Sequence, residues 1–163
     1  EPEKLLVEDS NSGYQFFEAI GKEYGIECES AGGKSNLFDL IKKTGKEETC
    51  VIADGAAIGP EMNRLYKQVK VKSNVKLYLP ESFEWIILQS GIVDEKEIRT
   101  ILLEPEQYID SKDYFSWEQY FTKLLIRCTE NTYLQYRKSK LNETYLHEKN
   151  KKIILESIKG IKF

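Results

Sequence analysis

The sequence predicts an α/β fold: a parallel sheet of about four strands with flanking helices and a C-terminal helical extension. Two short apolar runs that end in acid, at residues 5–9 and 50–54, are the main observation behind this prediction. Buried runs of this length, bounded by turn signals, are typical of central strands in parallel sheets. Strand and helix patterns also alternate up to residue 79, which indicates β-α-β connections.

The predicted strands differ in pattern. The first and third are almost wholly apolar, whereas the fourth alternates as Val-Lys-Leu-Tyr-Leu. The four strands are predicted at residues 4–7, 26–29, 49–53 and 75–79.

The first helix is predicted at residues 13–24. Asn11 or Ser12 is expected to cap its start, and Gly25 stands where a helix commonly ends in a left-handed residue. Its apolar face carries Phe16, Phe17 and Ile20.

Two further helices are predicted between the strands. After a tight turn at residues 31–34, Ser35 or Asn36 is expected to cap a helix that runs through residue 43. Residues 55–60 are predicted as a loop, with Pro60 at the start of a helix over residues 61–69.

From residue 80 onward the apolar spacing is helical. Helices are predicted at residues 82–88, 94–103, 114–136 and 143–158. We therefore divide the chain into an α/β core, residues 1–90, and a helical extension, residues 91–163, packed on it as one structural unit. The chain opens on Glu-Pro-Glu-Lys and enters a strand at once, which favours a domain excised from a longer protein.

Composition narrows the functional classes. The net charge of −3 argues against a surface that coats nucleic acid generally, but it is compatible with a local basic groove. Three widely spaced cysteines (Cys28, Cys50 and Cys128) are expected to be free thiols in a reducing, cytoplasmic compartment. Because no apolar run approaches the roughly 20 residues of a membrane span, no membrane partner is expected.

Acidic side chains follow the two apolar strands. Glu8 and Asp9 follow the first strand, and Asp54 follows the third. The carboxyl ends of strands line the ligand crevice of an open α/β sheet, so these acids should surround one point. Converging carboxylates are the usual ligands of a hard cation, and the sequence therefore predicts a magnesium site there.

Four stretches of the chain, taken in order, resemble a TOPRIM domain: residues 5–8, the helix that carries Phe16 and Phe17, residues 31–36 and residues 51–55. TOPRIM domains form the catalytic regions of topoisomerases, bacterial primases and OLD-family nucleases. The resemblance covers roughly residues 4–90 and part of the helical tail, and it implies a Rossmann-like parallel sheet. It is strongest to the OLD type, in which this domain follows an ATPase in the same chain.

The OLD type has a glutamate after the first strand, Asp-x-Asp after the third, Ser-x-Glu after the fourth and a lysine downstream. The corresponding residues here are Glu8, Asp54, Ser82, Glu84 and Lys138, with Lys140 as the alternative lysine. The resemblance implies that the three acids hold Mg²⁺ or Mn²⁺, that the serine orients a ligand or water, and that the lysine stabilises phosphate charge.

The function that this resemblance implies is metal-dependent cleavage of phosphodiester bonds in nucleic acid, by the effector domain of a larger ATPase-nuclease. The implied partners are nucleic acid, the remainder of the ATPase chain and a second copy of the chain, in a cytoplasmic setting such as phage defence.

The chain departs from the family pattern at two positions. Ala56 stands where the family has its second aspartate, and Ser12 lies near the position of a further acid. Three interpretations stay open: a one-metal nuclease, a nuclease whose ligands have shifted to Asp9 or Glu61, and a catalytically degenerate scaffold for protein–protein interaction.

A receiver-like phosphoacceptor domain is a further alternative. Its acidic pair would be Glu8 and Asp9, and Asp54 would accept phosphate. Receivers also need Ser or Thr at the end of the fourth strand and Lys-Pro after a fifth. The sequence Leu79-Pro80 followed by helices provides neither, so this alternative ranks below the TOPRIM interpretation.

Other features have a structural and a functional interpretation. The turn at residues 32–35 is either a plain turn with a helix cap or a phosphate contact through backbone N–H groups. Ser82 and Glu84 are either a helix cap with a first-turn acid or metal-site residues. The aromatic residues within 113–121 either pack the helical extension onto the sheet or form a base-stacking surface.

Overall fold

The computed structural model of the chain describes residues 1–103 and 117–163. It contains a four-stranded sheet in which every strand pair is parallel, in the order β2-β1-β3-β4. The strands are β1 (Lys4–Val7), β2 (Glu27–Ser30), β3 (Thr49–Ile52) and β4 (Val75–Tyr78). The predicted α/β class and the four parallel strands are confirmed, and β1 and β3 are the central strands as expected.

The central strands are buried on both faces. Leu5 and Val7 of β1 point into one apolar core, whereas Leu6 points into another on the opposite side of the sheet. Cys50 and Val51 of β3 divide in the same way. Because successive side chains of a strand point to opposite faces, a continuous apolar run is what a sheet covered on both sides requires.

Helices cover both faces of the sheet. The helices are α1 (Ser12–Tyr24), α2 (Lys34–Lys43), α3 (Gly55–Ile58), α4 (Met62–Lys70), α5 (Phe83–Ser90), α6 (Lys96–Leu103), α7 (Trp117–Thr129) and α8 (Glu148–Ser157). The first core combines α1 and α5 with the C-terminal extension, for example through Phe16, Ile87 and Ile154. The second core lies under α2 and α4 and includes Phe38 and Leu65.

The predicted caps of the first two helices met different outcomes. Helix α1 ends at Gly25, whose φ of 69° is left-handed, as expected, but Asn11, which precedes the helix, makes no side-chain hydrogen bond to its start. Helix α2 begins earlier than expected: Gly33, with a φ of 138°, precedes it, so neither Ser35 nor Asn36 is its cap.

The prediction of a loop at residues 55–60 was wrong. This stretch forms α3 and then a 3-10 turn at Gly59–Glu61, with Pro60 in its first turn. Proline is well suited to such a position because the first N–H groups of a helix have no partner within it. Helix α4 follows directly at Met62.

Two predicted C-terminal helices are shorter in the structure. Helix α7 stops at Thr129, so the predicted helical stretch up to residue 136 was wrong, and residues 114–116 lie outside the described residues. The predicted helix over residues 143–158 is a 3-10 turn, Glu143–Leu146, followed by α8. His147 separates the two because its ψ of 140° is not helical.

The extension packs directly on the core. Phe121 of α7 lies 4.7 Å from the Trp85 ring of α5, measured between centroids, and Tyr120 is also buried. Tyr120 and Phe121 therefore pack the extension onto the core, which is the structural interpretation of this aromatic stretch. Residues 113–116 of the stretch lie outside the described residues. None of the described helices combines the length and apolar character that crossing a membrane requires.

Candidate functional site

A small pocket lies at the carboxyl ends of β1 and β3. The connection from β1 runs to β2 on one side, whereas β3 and β4 lie on the other side, so the strand order reverses between β1 and β3. Open α/β sheets bind ligands at such reversal points. Glu8 and Asp9 line the pocket after β1, Asp54 lines it after β3, and Pro80 and Phe83 line it after β4. The structure therefore brings together the acids that the sequence placed at the strand ends.

Backbone hydrogen bonds hold the three strand ends in place. The Glu8 N–H donates to the Ile52 carbonyl at 2.9 Å, and the Glu8 carbonyl accepts from the Gly33 N–H at 2.8 Å. The Gly55 N–H donates to the Pro80 carbonyl, also at 2.8 Å. The acidic residues thus project from backbone that is tied across neighbouring elements, which limits how far the carboxylates can separate.

Asp54 and Asp9 occupy different local settings. Asp54 is 9% exposed and precedes α3, and its carboxylate accepts no capping hydrogen bond from the N–H groups at the start of that helix. An oxygen of Asp9 accepts the Asn11 N–H at 3.0 Å. The Asp9 carboxylate also lies close to α1. A Cβ atom placed on Gly13, which belongs to that helix, would be 3.5 Å from Oδ2 of Asp9.

Glu84 does not line this pocket, although the preceding residue, Phe83, does. Glu84 is 2% exposed, and its Oε1 accepts a hydrogen bond from the Tyr136 hydroxyl at 2.8 Å. Burial raises the pKa of the Glu84 carboxyl above its ordinary value, while the Tyr136 hydroxyl and the Lys138 charge oppose that rise. Burial and the adjacent Glu84 raise the pKa of Tyr136. The pair joins α5 to the extension.

The raised pKa of Glu84 leads to a pH-dependent prediction. The folded chain binds this proton more tightly than the unfolded chain, so its stabilisation is complete below the ordinary pKa of 4.5 and is lost as pH rises through the raised value. We expect the free energy of unfolding of the wild type to fall relative to Glu84→Gln over that window. Urea unfolding across a pH series measures the difference.

The control for charge removal is Glu81→Gln, because Glu81 is exposed on the segment that leads into α5. A difference between wild type and Glu84→Gln that stays constant with pH would contradict the prediction.

Ser82 caps helix α5. Its hydroxyl oxygen accepts the Trp85 N–H at 3.0 Å, and the residue is fully buried. Of its two interpretations, the structure shows the helix cap, with Glu84 in the first turn. Neither residue lines the acidic pocket.

The two candidate lysines lie on a segment that is bonded to α1. The Lys138 carbonyl accepts the Ser12 N–H at 2.8 Å, and the Lys138 charge acts on Glu84. Lys140 is exposed and lines a separate groove together with Arg137. Of the two lysines, Lys138 is thus the one placed near Glu84.

The glycine turn is built from unusual backbone angles. Gly32 and Gly33 have φ values of 68° and 138°, which residues with side chains rarely adopt. The Gly33 N–H donates a hydrogen bond to the Glu8 carbonyl, and the Lys34 ammonium lies 3.6 Å from a carboxylate oxygen of Glu61. The turn therefore joins β2 to α2 while contacting the end of β1.

The donor set limits how a metal would be held. Within the described residues, no group of three or more His, Cys, Asp or Glu side chains is close enough to hold a metal ion. Magnesium is commonly bound by one or two carboxylates, with water and substrate phosphate as the other ligands. The pocket carboxylates fit that mode, whereas the Glu8, Asp54 and Glu84 triad stays a prediction.

Tyr136 is the residue near the site that sequence reasoning missed. It lies 52 positions from Glu84 in a segment predicted as helix, so no local pattern pointed to the contact. No known protein family, curated protein or solved structure matches the chain. The resemblance to TOPRIM domains therefore stays a prediction.

Proposed function

We propose that the protein carries out metal-dependent hydrolysis of phosphodiester bonds in nucleic acid, as the effector domain of a larger ATPase-nuclease. The observation that supports this most directly is the pocket shared by Glu8, Asp9 and Asp54 at the reversal point of the parallel sheet. Phe17 and Phe83 form apolar walls of the same pocket. The carboxylates are thus presented at one place on rigid strand ends.

In this proposal the pocket acids hold Mg²⁺ or Mn²⁺. When bound, the cation would activate water and stabilise the charge that develops at phosphorus. Glu8 and Asp54 supply hard oxygen ligands, and Asp9 lies beside them. Lys138, near Glu84, would offset the charge of the phosphate. The three cysteines, all within the described residues, are free thiols, which supports a reducing, cytoplasmic setting.

The test is a calorimetric titration with Mg²⁺ and Mn²⁺, with and without an oligonucleotide. We expect Asp54→Asn and Glu8→Gln to abolish metal binding, because each removes a carboxylate from a site that has few. Asp39→Asn is the matched control, since Asp39 is exposed on α2. Thermal unfolding of each variant checks that the fold persists.

Unchanged metal affinity in Asp54→Asn would contradict the site assignment. Metal binding that Asp54→Asn abolishes would lead to cleavage assays on single- and double-stranded DNA and RNA. Glu84→Gln tests the predicted third ligand: it weakens metal binding only if Glu84 reaches the cation.

A degenerate interaction scaffold is the second candidate. The observation that favours it is the buried Glu84–Tyr136 hydrogen bond. Glu84, which the TOPRIM resemblance makes a metal ligand, here links α5 to the extension instead. In that case we expect no metal binding, even with nucleic acid present. We also expect the domain to bind the ATPase part of its own chain. The receiver-like alternative predicts instead that a small phosphodonor phosphorylates Asp54.

A further inference from the structure

A second groove lies on the segment that follows α7. We call it the basic groove; it is open to solvent and has a volume of about 460 Å³. Its lining residues include Thr132, Gln135, Arg137, Lys140 and Asn142. The arginine and the lysine are both exposed, in a chain whose net charge is −3.

Hydrogen bonds from α1 fix the basic groove next to the acidic pocket. Ser12 donates through its N–H to the Lys138 carbonyl and through its hydroxyl to the Arg137 carbonyl. Gln15 donates to the Ser139 carbonyl at 3.0 Å and accepts the Leu141 N–H at 2.9 Å. Ser12 is the immediate neighbour of Gly13, which lines the acidic pocket.

The walls of the basic groove are also held together. The Asn142 side-chain amide donates to the carbonyls of Tyr133 and Gln135, each at 3.0 Å. The Thr144 hydroxyl donates to the Tyr133 carbonyl at 2.8 Å. This bonding fixes the backbone that carries the exposed side chains, so a ligand would meet a preformed surface.

An exposed aromatic residue lies on the same chain segment as the groove cations. Burial alternates along this stretch: Leu134 and Tyr136 are buried, whereas Tyr133 is 66% exposed and Arg137 is exposed. An exposed tyrosine ring presents a flat π-face to solvent, on which any base can stack. Tyr133 itself does not line the groove, but its carbonyl is bonded to the groove residue Asn142. Proteins bind unpaired nucleotides by combining base stacking on aromatic rings with contacts from cations to phosphate.

We propose that the basic groove and Tyr133 bind single-stranded nucleic acid and direct it toward the acidic pocket. Arg137 and Lys140 contact successive phosphates, and Tyr133 stacks on a base. Glu143, which shares the groove, opposes this binding through its charge. The direction toward the pocket rests on the proposed function, whereas the binding itself does not require a metal.

The experiment is fluorescence anisotropy of a labelled oligothymidine of about 20 nucleotides, titrated in EDTA over a salt series. We expect the double variant Arg137→Gln/Lys140→Gln to weaken binding roughly tenfold at about 0.1 M salt and to reduce the salt slope by about 1.4. The matched control is Lys149→Gln/Lys152→Gln, which removes the same charge from exposed positions of α8.

Stacking and local charge are tested separately. Tyr133→Ala should weaken single-strand binding by roughly 5- to 150-fold, whereas Tyr133→Phe should retain it. Glu143→Gln should tighten binding, because it removes an acid from the groove. A duplex of the same length should bind more weakly than the single strand.

Equal weakening by the groove variant and its control would overturn the proposal, as would unchanged binding by Tyr133→Ala or a preference for duplex. The outcomes separate this proposal from the proposed function. Groove-dependent binding without any cleavage contradicts only the phosphodiesterase activity, and cleavage that needs Asp54 but not the groove contradicts only the present inference.

Discussion

Phe16→Ala is expected to lower the free energy of unfolding by about 3–5 kcal/mol. Phe16 is fully buried, and its ring centroid lies 5.5 Å from the rings of both Phe17 and Phe83. The substitution leaves a cavity between α1 and α5 that the surrounding side chains fill only in part. Urea unfolding followed by circular dichroism gives the free energy.

The control for the Phe16 variant is Tyr66→Ala, because Tyr66 is 54% exposed on α4. A surface substitution of this kind should change stability by no more than about 0.5 kcal/mol. An equal loss in both variants would show that the aromatic packing of α1 is not what stabilises this side of the sheet. Because Phe83 lines the acidic pocket, Phe16→Ala should also weaken metal binding.

Tyr136→Phe is expected to cost about 1–3 kcal/mol of stability. The variant keeps the ring, which packs near Phe83 and Tyr145, but removes the hydroxyl that donates to Glu84. The buried Glu84 side chain then loses one of its hydrogen-bond donors, and burial in a site of low polarity makes that loss costly. Thermal or urea unfolding at neutral pH measures the effect.

Tyr133→Phe is the matched control for the Tyr136 variant, since it removes the same hydroxyl from an exposed ring three positions away. A double-mutant cycle with Glu84→Gln isolates the Tyr136–Glu84 interaction. If the two single losses simply add, the hydrogen bond does not couple these residues, and the link between α5 and the extension depends on apolar packing alone.

The strands were predictable because their signal is local. A short apolar run such as Leu5-Leu6-Val7, bounded by turn residues, is too brief for a buried helix and fits a central strand. The two faces of the sheet divide its side chains as that pattern requires. Gly25 was predictable for a similar reason, because a left-handed residue at a helix end favours glycine.

The predicted helix over residues 114–136 was too long because side-chain hydrogen bonds end the helix at Thr129. Periodicity continues past residue 129, but the Thr129 hydroxyl donates to the Leu125 carbonyl and accepts the Tyr136 N–H, which turns the chain back. Asn131, with a φ of 61°, completes that turn. The spacing of apolar residues does not depend on such hydrogen bonds, so it predicted a single long helix.

The site was predictable only in its local part. Strand order places Glu8 and Asp54 together as expected, because adjacent parallel strands end at one edge of the sheet. The Tyr136 partner of Glu84 comes from a segment about fifty positions later, and no periodic pattern encodes such a contact. Long-range contacts of this type require the packed structure.

The contact between α1 and the segment at residues 137–141 has a consequence for how the chain folds. The Ser12 hydroxyl and its acceptor are 125 positions apart, so this bond cannot form during synthesis until the segment that carries Arg137 has been made. Until then, the apolar face of α1, with Phe16, Phe17 and Ile20, lacks much of its cover. Contacts between residues so far apart in sequence slow folding, because the intervening chain must be ordered before they form.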